Sequence, residues 1–345
     1  MTLQDTPICD DPQPQESDSI IETYFSLVCG RDGVKPSDFD EYFTSYKDET
    51  ALLLLKGGEY RANRWKFPIH THRHAIEVVE ILQMNASTAH RDEVRKQVRQ
   101  RLSLPPTSSF EAEDEAIDFT LRLWLMINFR DPQHVGLGQG RPPIVWRNNR
   151  TLSAQVESLF AKSTTELSPL QRRLHPNFKA VNLVNICRLK LKWTSSLEDH
   201  LRLDRDHNTL WIFPGRRFLK FAAGSSTLPI CAELLDETSR TLDLLFPSWD
   251  QDMKRMMKKL KRDFHRVHCR DRSLDLRHYL FWRDRLLELY EDVYLAPPGG
   301  WAQLWYDQRD PQKFWTFWVA LVVLVLTVLS TVATLLQTVL ALRQS

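Results

Sequence analysis

Apolar positions recur at helical spacing along most of the chain and at strand spacing in one short stretch. Aromatics Tyr24, Phe25, Phe39, Tyr42, Phe43 and Tyr46 fall at near-helical intervals, and Pro36-Ser37-Asp38 reads as a helix start. The spacing predicts helices over 76–84, with Ile76, Val79 and Val78/Leu82 on one side, and over 116–129, carrying Ile117, Leu121, Trp124, Leu125 and Asn128. Residues 91–104 predict a short, strongly basic helix closed by Pro105-Pro106. Further helices are expected over 152–161 and 228–246. The latter carries a stripe of Leu234/Leu235, Leu242 and Leu244/Leu245.

Between 178 and 214 the pattern changes. Val181–Leu189 reads as helical and Lys190–Trp193 as extended. Ser195–Leu201 reads as helical behind a Thr194/Ser195 cap with Glu198 three residues on. Residues 201–204 and 210–213 then make a hairpin around Arg205-Asp206-His207-Asn208. Helices followed by a two-stranded wing suggest a winged-helix-like unit by analogy of fold. From Trp249 to Tyr294 two long basic helices are expected to pack as a hairpin. Residues 251–290 hold twelve Lys/Arg against six acids, enough positive charge to touch anionic headgroups or simply to solvate a helix face. Residues 1–18, rich in Pro, Asp, Gln and Ser, read as a disordered acidic tail. The first fifty residues carry twelve acids and could fold back onto the basic stretch.

The strongest pattern lies at the C-terminal end. From Phe314 to Leu342 no residue is charged, a run longer than the ~20 residues a helix needs to cross ~30 Å of hydrocarbon. Trp301, Trp305, Trp315 and Trp318, with Tyr306, Phe314 and Phe317, cluster at its entry, where amphipathic rings favour the headgroup level. Thr327, Thr331, Thr334 and Thr338 repeat four, three, four, and Ala320, Leu324 and Ala341 continue the seam. Such a face lets a transmembrane helix approach another, including its own copy. The amino-terminal MTLQDTPICDDPQPQESD has neither a basic nor an apolar signal region, so the expected layout is tail-anchored with the bulk in the cytosol. The long apolar span favours the endoplasmic reticulum over a thin mitochondrial anchor.

Composition adds exclusions. The 345 residues carry 46 Lys+Arg against 44 Asp+Glu, a formal charge of +2, which argues against nucleic acid as a partner. Cys9, Cys29, Cys187, Cys231 and Cys269 are scattered and make neither a zinc framework nor a C-x-x-C pair. His70, His72 and His74 alternate, and His265 and His268 are close, but neither group has the further ligands a metal site needs. Gly136, Gly138 and Gly140 superficially suggest a phosphate cradle. Pro142-Pro143 follow where a helix would have to begin. His200, Asp204, Asp206 and His207 with Ser195/Ser196 are near one another without a nucleophile elbow or any other catalytic motif. No enzyme, cofactor or metal is expected.

The stretches LDLLFPSWD (242–250), HYLFWRDRLLELY (278–290) and GGWAQLWYDQRDPQKFWTFWVALVVLVLTV (299–328) carry a specific run, W-x-x-x-W-Y-D-x-R-D-P-Q-x-x-x-T-F-W. In these the chain resembles a family of tail-anchored membrane proteins of filamentous fungi. HPNFKAVNLVNICRLKLKWTSSLEDHLRLD and LWIFP upstream are similar to the same group. The resemblance implies the tail-anchored layout and supplies no catalytic residues. The expectation is therefore a mainly α protein with a small β-hairpin and one C-terminal transmembrane helix. Its parts are a mainly helical cytosolic domain over 19–247, a basic hairpin over 248–296, an aromatic juxtamembrane segment over 297–313 and a span over 314–342. Its expected work is non-enzymatic: the body binds another protein, still to be identified, beside a lipid bilayer. Nucleic-acid binding through the hairpin unit and the basic helices is the alternative, and a membrane-tethered enzyme the third.

Overall fold

A computed structural model describes residues 6–29, 34–55, 67–104, 110–130, 143–260, 272–296 and 311–344. It is mainly helical with one small sheet, as the pattern predicts. Helix α1 (Pro14–Phe25) begins with proline at its first turn. A one-turn 3₁₀ segment (Pro36–Phe39) leads into α2 (Asp40–Leu55). Next come α3 (His72–Asn85), whose cap Thr71 accepts the His74 amide, α4 (Arg91–Arg101) and α5 (Phe110–Leu125). Helix α3 is the centre of this half, touching α1, α4 and α5. Its apolar side, with Val78, Val79 and Leu82, is fully buried.

After α6 (Leu152–Leu159) and α7 (Ala180–Asn185) comes the sheet, with strands β1 (Lys190–Trp193), β2 (Arg202–Asp204) and β3 (Thr209–Ile212) in the order β1-β3-β2. The β2–β3 hairpin is antiparallel, as read from the sequence. β1 joins β3 in parallel, Leu191 opposite Leu210, a pairing that hairpin signals do not encode. Helices α8 (Arg216–Gly224) and α9 (Ala232–Leu245) pack closely on each other, and α10 (Gln251–Lys259) packs on α7. A short α11 (Arg283–Glu288) runs into a π-helical turn over 289–294. The last element is α12 (Pro311–Gln344).

Four expectations change. The tail is ordered from Thr6. The Ile8 amide bonds the His70 carbonyl, and Glu16 accepts the amides of Thr6 and Gln13, so a stretch that composition reads as disordered is held by partners just before α3 and on α1. The acidic amino-terminal region pairs with Lys47 through Asp11 and with Arg217 through Asp38, and among the described residues it makes no ion pair with 251–290. Of the two long helices expected over 248–296, the described residues hold short pieces, α10 and α11, and residues 261–271 lie outside them. Met253, Met257, Leu276, Tyr279, Trp282 and Leu286 belong to the same core cluster as α1 to α9, so the stretch is part of the body. Residues 195–201 form only a 3₁₀ turn (Leu197–Asp199). The Thr194 hydroxyl accepts the Ser196 amide, and the Glu198 carboxylate accepts the Asn128 amide instead of closing the expected cap.

The basic helix α4 is neutralised from within. Its Arg91, Arg95 and Arg99, four residues apart on one face, meet Asp114, Asp118 and Glu113 of α5 at 2.5–2.8 Å. Burial pushes the Asp118 carboxyl up to about 6 although Arg91 and Arg122 pull it down. Hence the arginines that looked available to phosphate are turned toward a neighbouring helix.

His200 sits fully buried where the sheet meets α9. Its Nδ1 accepts the Phe213 amide at 3.2 Å, which leaves Nε2–H to donate to Thr241 Oγ1 at 2.6 Å. Burial, with Arg285 nearby, lowers its pKa from 6.5 to about 3. The unfolded chain therefore binds a proton between those values that the folded chain excludes, so this stability is complete above the unfolded pKa and lost as pH falls. The expected loss from about pH 7 to about pH 5 is about 2 kcal/mol. Urea midpoints should show it, and His200→Gln should flatten the pH slope. An unchanged slope would exclude His200 as its source.

Candidate functional site

Two features of the body and tail are placed to act outside the core. The first is a cleft of about 500 Å³. One wall is α2 with its preceding turn, contributing Asp38, Glu41, Asp48 and Glu49. The opposite wall is the segment leaving β1, with Trp193, Thr194, Ser195, Ser196, Glu198 and Asp199. The floor comes from Tyr42, Met126, Phe213 and Phe218.

Local geometry explains the floor. Tyr42 and Phe218 stack at 6.3 Å with nearly parallel rings, and Phe25 sets its edge against both, so the two halves of the body meet in an aromatic hub below the cleft. Gly215 opens α8 here. A Cβ in its place would stand 2.9 Å from the Phe213 ring, so only glycine lets the backbone pass. The Leu197 amide bonds the Met126 carbonyl at 2.7 Å and locks the β1 exit to the end of α5.

Six carboxylates line this cleft against two guanidiniums, Arg130 and Arg217. Glu49 meets Arg122 at 3.0 Å and Arg130 at 3.3 Å, Asp38 pairs with Arg217, and Asp199 meets Arg202 at 2.8 Å. Asp48 lies exposed on the rim. The result is an apolar floor under a rim of net negative charge.

The second feature is α12. Its segment Trp315–Gln337 is long and apolar enough to cross a membrane, with mean hydropathy 2.7 and none of it buried against the rest of the chain. A soluble core helix would be covered, and this one is not. Trp315 and Trp318 fall in its first turns, while Trp301 and Trp305 lie outside the described residues. Thr327, Thr331, Thr334 and Thr338 fall within about 60° of helix arc. The hydroxyls of the first three donate to the carbonyls of Val323, Thr327 and Ser330, four residues back, at 2.7–2.9 Å. Such bonds satisfy the hydroxyls in lipid without a second helix.

The other motifs are resolved as structure. His72 is buried, accepting from the Tyr46 hydroxyl at Nδ1 (2.9 Å) and donating from Nε2 to the Asp10 carbonyl (3.1 Å). This holds the amino-terminal segment in place. The His70 amide bonds His74 Nδ1. Among the described residues no group of His, Cys, Asp and Glu is arranged to hold a metal ion. His200 and His207 do not converge: His200 is buried against Thr241, whereas His207 lies exposed and pairs with Asp204. Gly136, Gly138, Gly140, His265, His268 and Cys269 lie outside the described residues.

The cleft was not anticipated from sequence, since its walls come from segments up to 180 residues apart. Only the repeated acids of α2 hinted at it. Comparison with known protein families, with curated proteins and with solved structures finds no match to this chain.

Proposed function

We propose that this is a membrane-tethered interaction protein, anchored through Trp315–Gln337, whose body faces the cytosol and docks a basic segment of a partner protein in the acidic cleft. The unburied apolar helix carries the anchoring half of this reading. Residence in the endoplasmic reticulum and kinship with the fungal membrane proteins that the chain resembles belong to the same proposal.

For the partner, the cleft is the supporting observation. An apolar floor gives affinity for an aliphatic or aromatic side chain, while the carboxylate rim attracts Lys and Arg and repels acidic competitors. Tethering concentrates the body at one surface and so raises the occupancy of a modest site. The nucleic-acid alternative finds less support. Arg91, Arg95 and Arg99 are engaged by α5, and the helix before the sheet, α7, is six residues long with Ala180, Val181 and Leu183 buried.

Proximity labelling from the body of the membrane-inserted protein tests the cleft. Glu41→Lys/Asp48→Lys should reduce labelling of specific partners by about tenfold or more while leaving membrane residence unchanged. Equal labelling of the same partners by the variant would overturn the cleft as the docking place.

A further inference from the structure

Helix α10 divides its residues sharply. Met253 and Met257 are buried in the core, with Met256 beside them. Lys254, Arg255, Lys258 and Lys259 cover about 140° of the opposite side and are exposed. Asp250 caps the helix through the Met253 amide and pairs with Lys179, and Asp252 holds Arg255 at 3.0 Å. Among the described residues no carboxylate pairs with Lys254, Lys258 or Lys259. Trp249, one residue before the cap, is 58% exposed, a large ring presented to solvent.

Packing places the start of α10 close to the end of the body. Phe178, which immediately precedes Lys179, packs edge-on against Tyr290 and Tyr294 with ring centroids 5.3 Å apart. Two adjacent residues therefore join the first turn of α10 to Tyr294, the point where the body hands over to the segment leading to α12. Residues 297–310, even fully extended, reach no more than about 50 Å.

We propose that the outward face of α10, with Trp249, rests on anionic headgroups of the same bilayer that Trp315–Gln337 enters. This rests on the anchoring reading above and extends it to the orientation of the body. Its methionines being committed to the core, α10 does not bury an apolar face in lipid as a free amphipathic helix would. The contact is then electrostatic with one interfacial tryptophan, and salt must weaken it. A phospholipid surface fits better than a soluble anion because the charges spread over a convex helix face and form no pocket.

The full chain reconstituted in nanodiscs tests this by acetylation footprinting of lysines. Discs of neutral phosphatidylcholine are compared with discs containing about 30% phosphatidylserine. Lys254, Lys258 and Lys259 should be modified about tenfold more slowly in the anionic discs, while Lys96, exposed on α4, is unchanged. Raising salt to about 1 M should abolish the difference, and Lys258→Glu/Lys259→Glu should restore modification of Lys254. Equal rates in both discs, with the chain inserted, would overturn the lipid contact and leave the anchor standing. Protection by an added RNA oligonucleotide in neutral discs, with none from anionic lipid, would overturn it in favour of nucleic acid. Failure to enter neutral discs at all would remove the anchor and this inference together.

Discussion

Replacing Leu326 and Leu329 by arginine is expected to move the protein from the carbonate-resistant membrane pellet into the soluble fraction. Both positions lie near the middle of Trp315–Gln337, where the chain has no charge and no internal packing to shelter one. Each arginine at mid-span costs about 2.5–3.5 kcal/mol on insertion scales, so the pair removes roughly 5–7 kcal/mol of transfer energy. Leu326→Ala/Leu329→Ala keeps the stretch apolar and should stay in the membrane. The comparison separates loss of hydrophobicity from loss of a specific leucine contact. A double-arginine variant that still resists extraction would mean that something other than this helix holds the protein to membranes.

Substituting Glu237 by alanine should be the most destabilising single change in the body. Glu237 lies on α9 and is 1% exposed, and burial raises its pKa although backbone amides oppose the rise. Its carboxylate accepts three successive amides, Leu280 at 2.6 Å, Phe281 at 2.8 Å and Trp282 at 2.7 Å, just before α11 begins. One residue on, Thr238 takes the Trp282 indole N–H at 2.8 Å. Alanine leaves three donors without their acceptor, the Trp282 amide fully buried and those of Leu280 and Phe281 partly so, a loss of about 3–5 kcal/mol against a typical total of about 5–15 kcal/mol. Should the alanine variant fail to fold, Glu237→Gln keeps one carbonyl oxygen and should lose a smaller part. The readouts are chemical unfolding and amide exchange at 280–282. A loss under about 1 kcal/mol from the alanine variant would show that the amides find other partners.

Most helices were legible because burial on one side of a helix writes itself into neighbouring positions. Val78, Val79 and Leu82 mark α3 by spacing alone, whereas the cap by which Asp250 starts α10 is seen only in the structure. Helix α8 escaped notice because its nine residues lie between Pro214-Gly215 and Ser225-Ser226, breakers that read as a loop. The expectation of two long helices over 248–296 failed for a related reason. Basic composition solvates a helix but does not set its length, and Trp282 and Tyr279 are drawn into the core instead.

Charge misled the reading more than hydropathy did. A run such as RDEVRKQVRQR looks the same whether its arginines face water or a second helix. Only the approach of Asp114, Asp118 and Glu113 settles which. The cleft is the extreme case, since Glu49 on α2, Arg130 beyond α5 and Asp199 after β1 share one space because the core folds them together. The apolar C-terminal helix stands at the other pole. Transfer into hydrocarbon is nearly additive over contiguous residues, so the order Phe314 to Leu342 already specifies a segment able to span lipid. Coulomb pairing and cavity shape depend on distances between remote parts of the chain, and those exist only once it has folded.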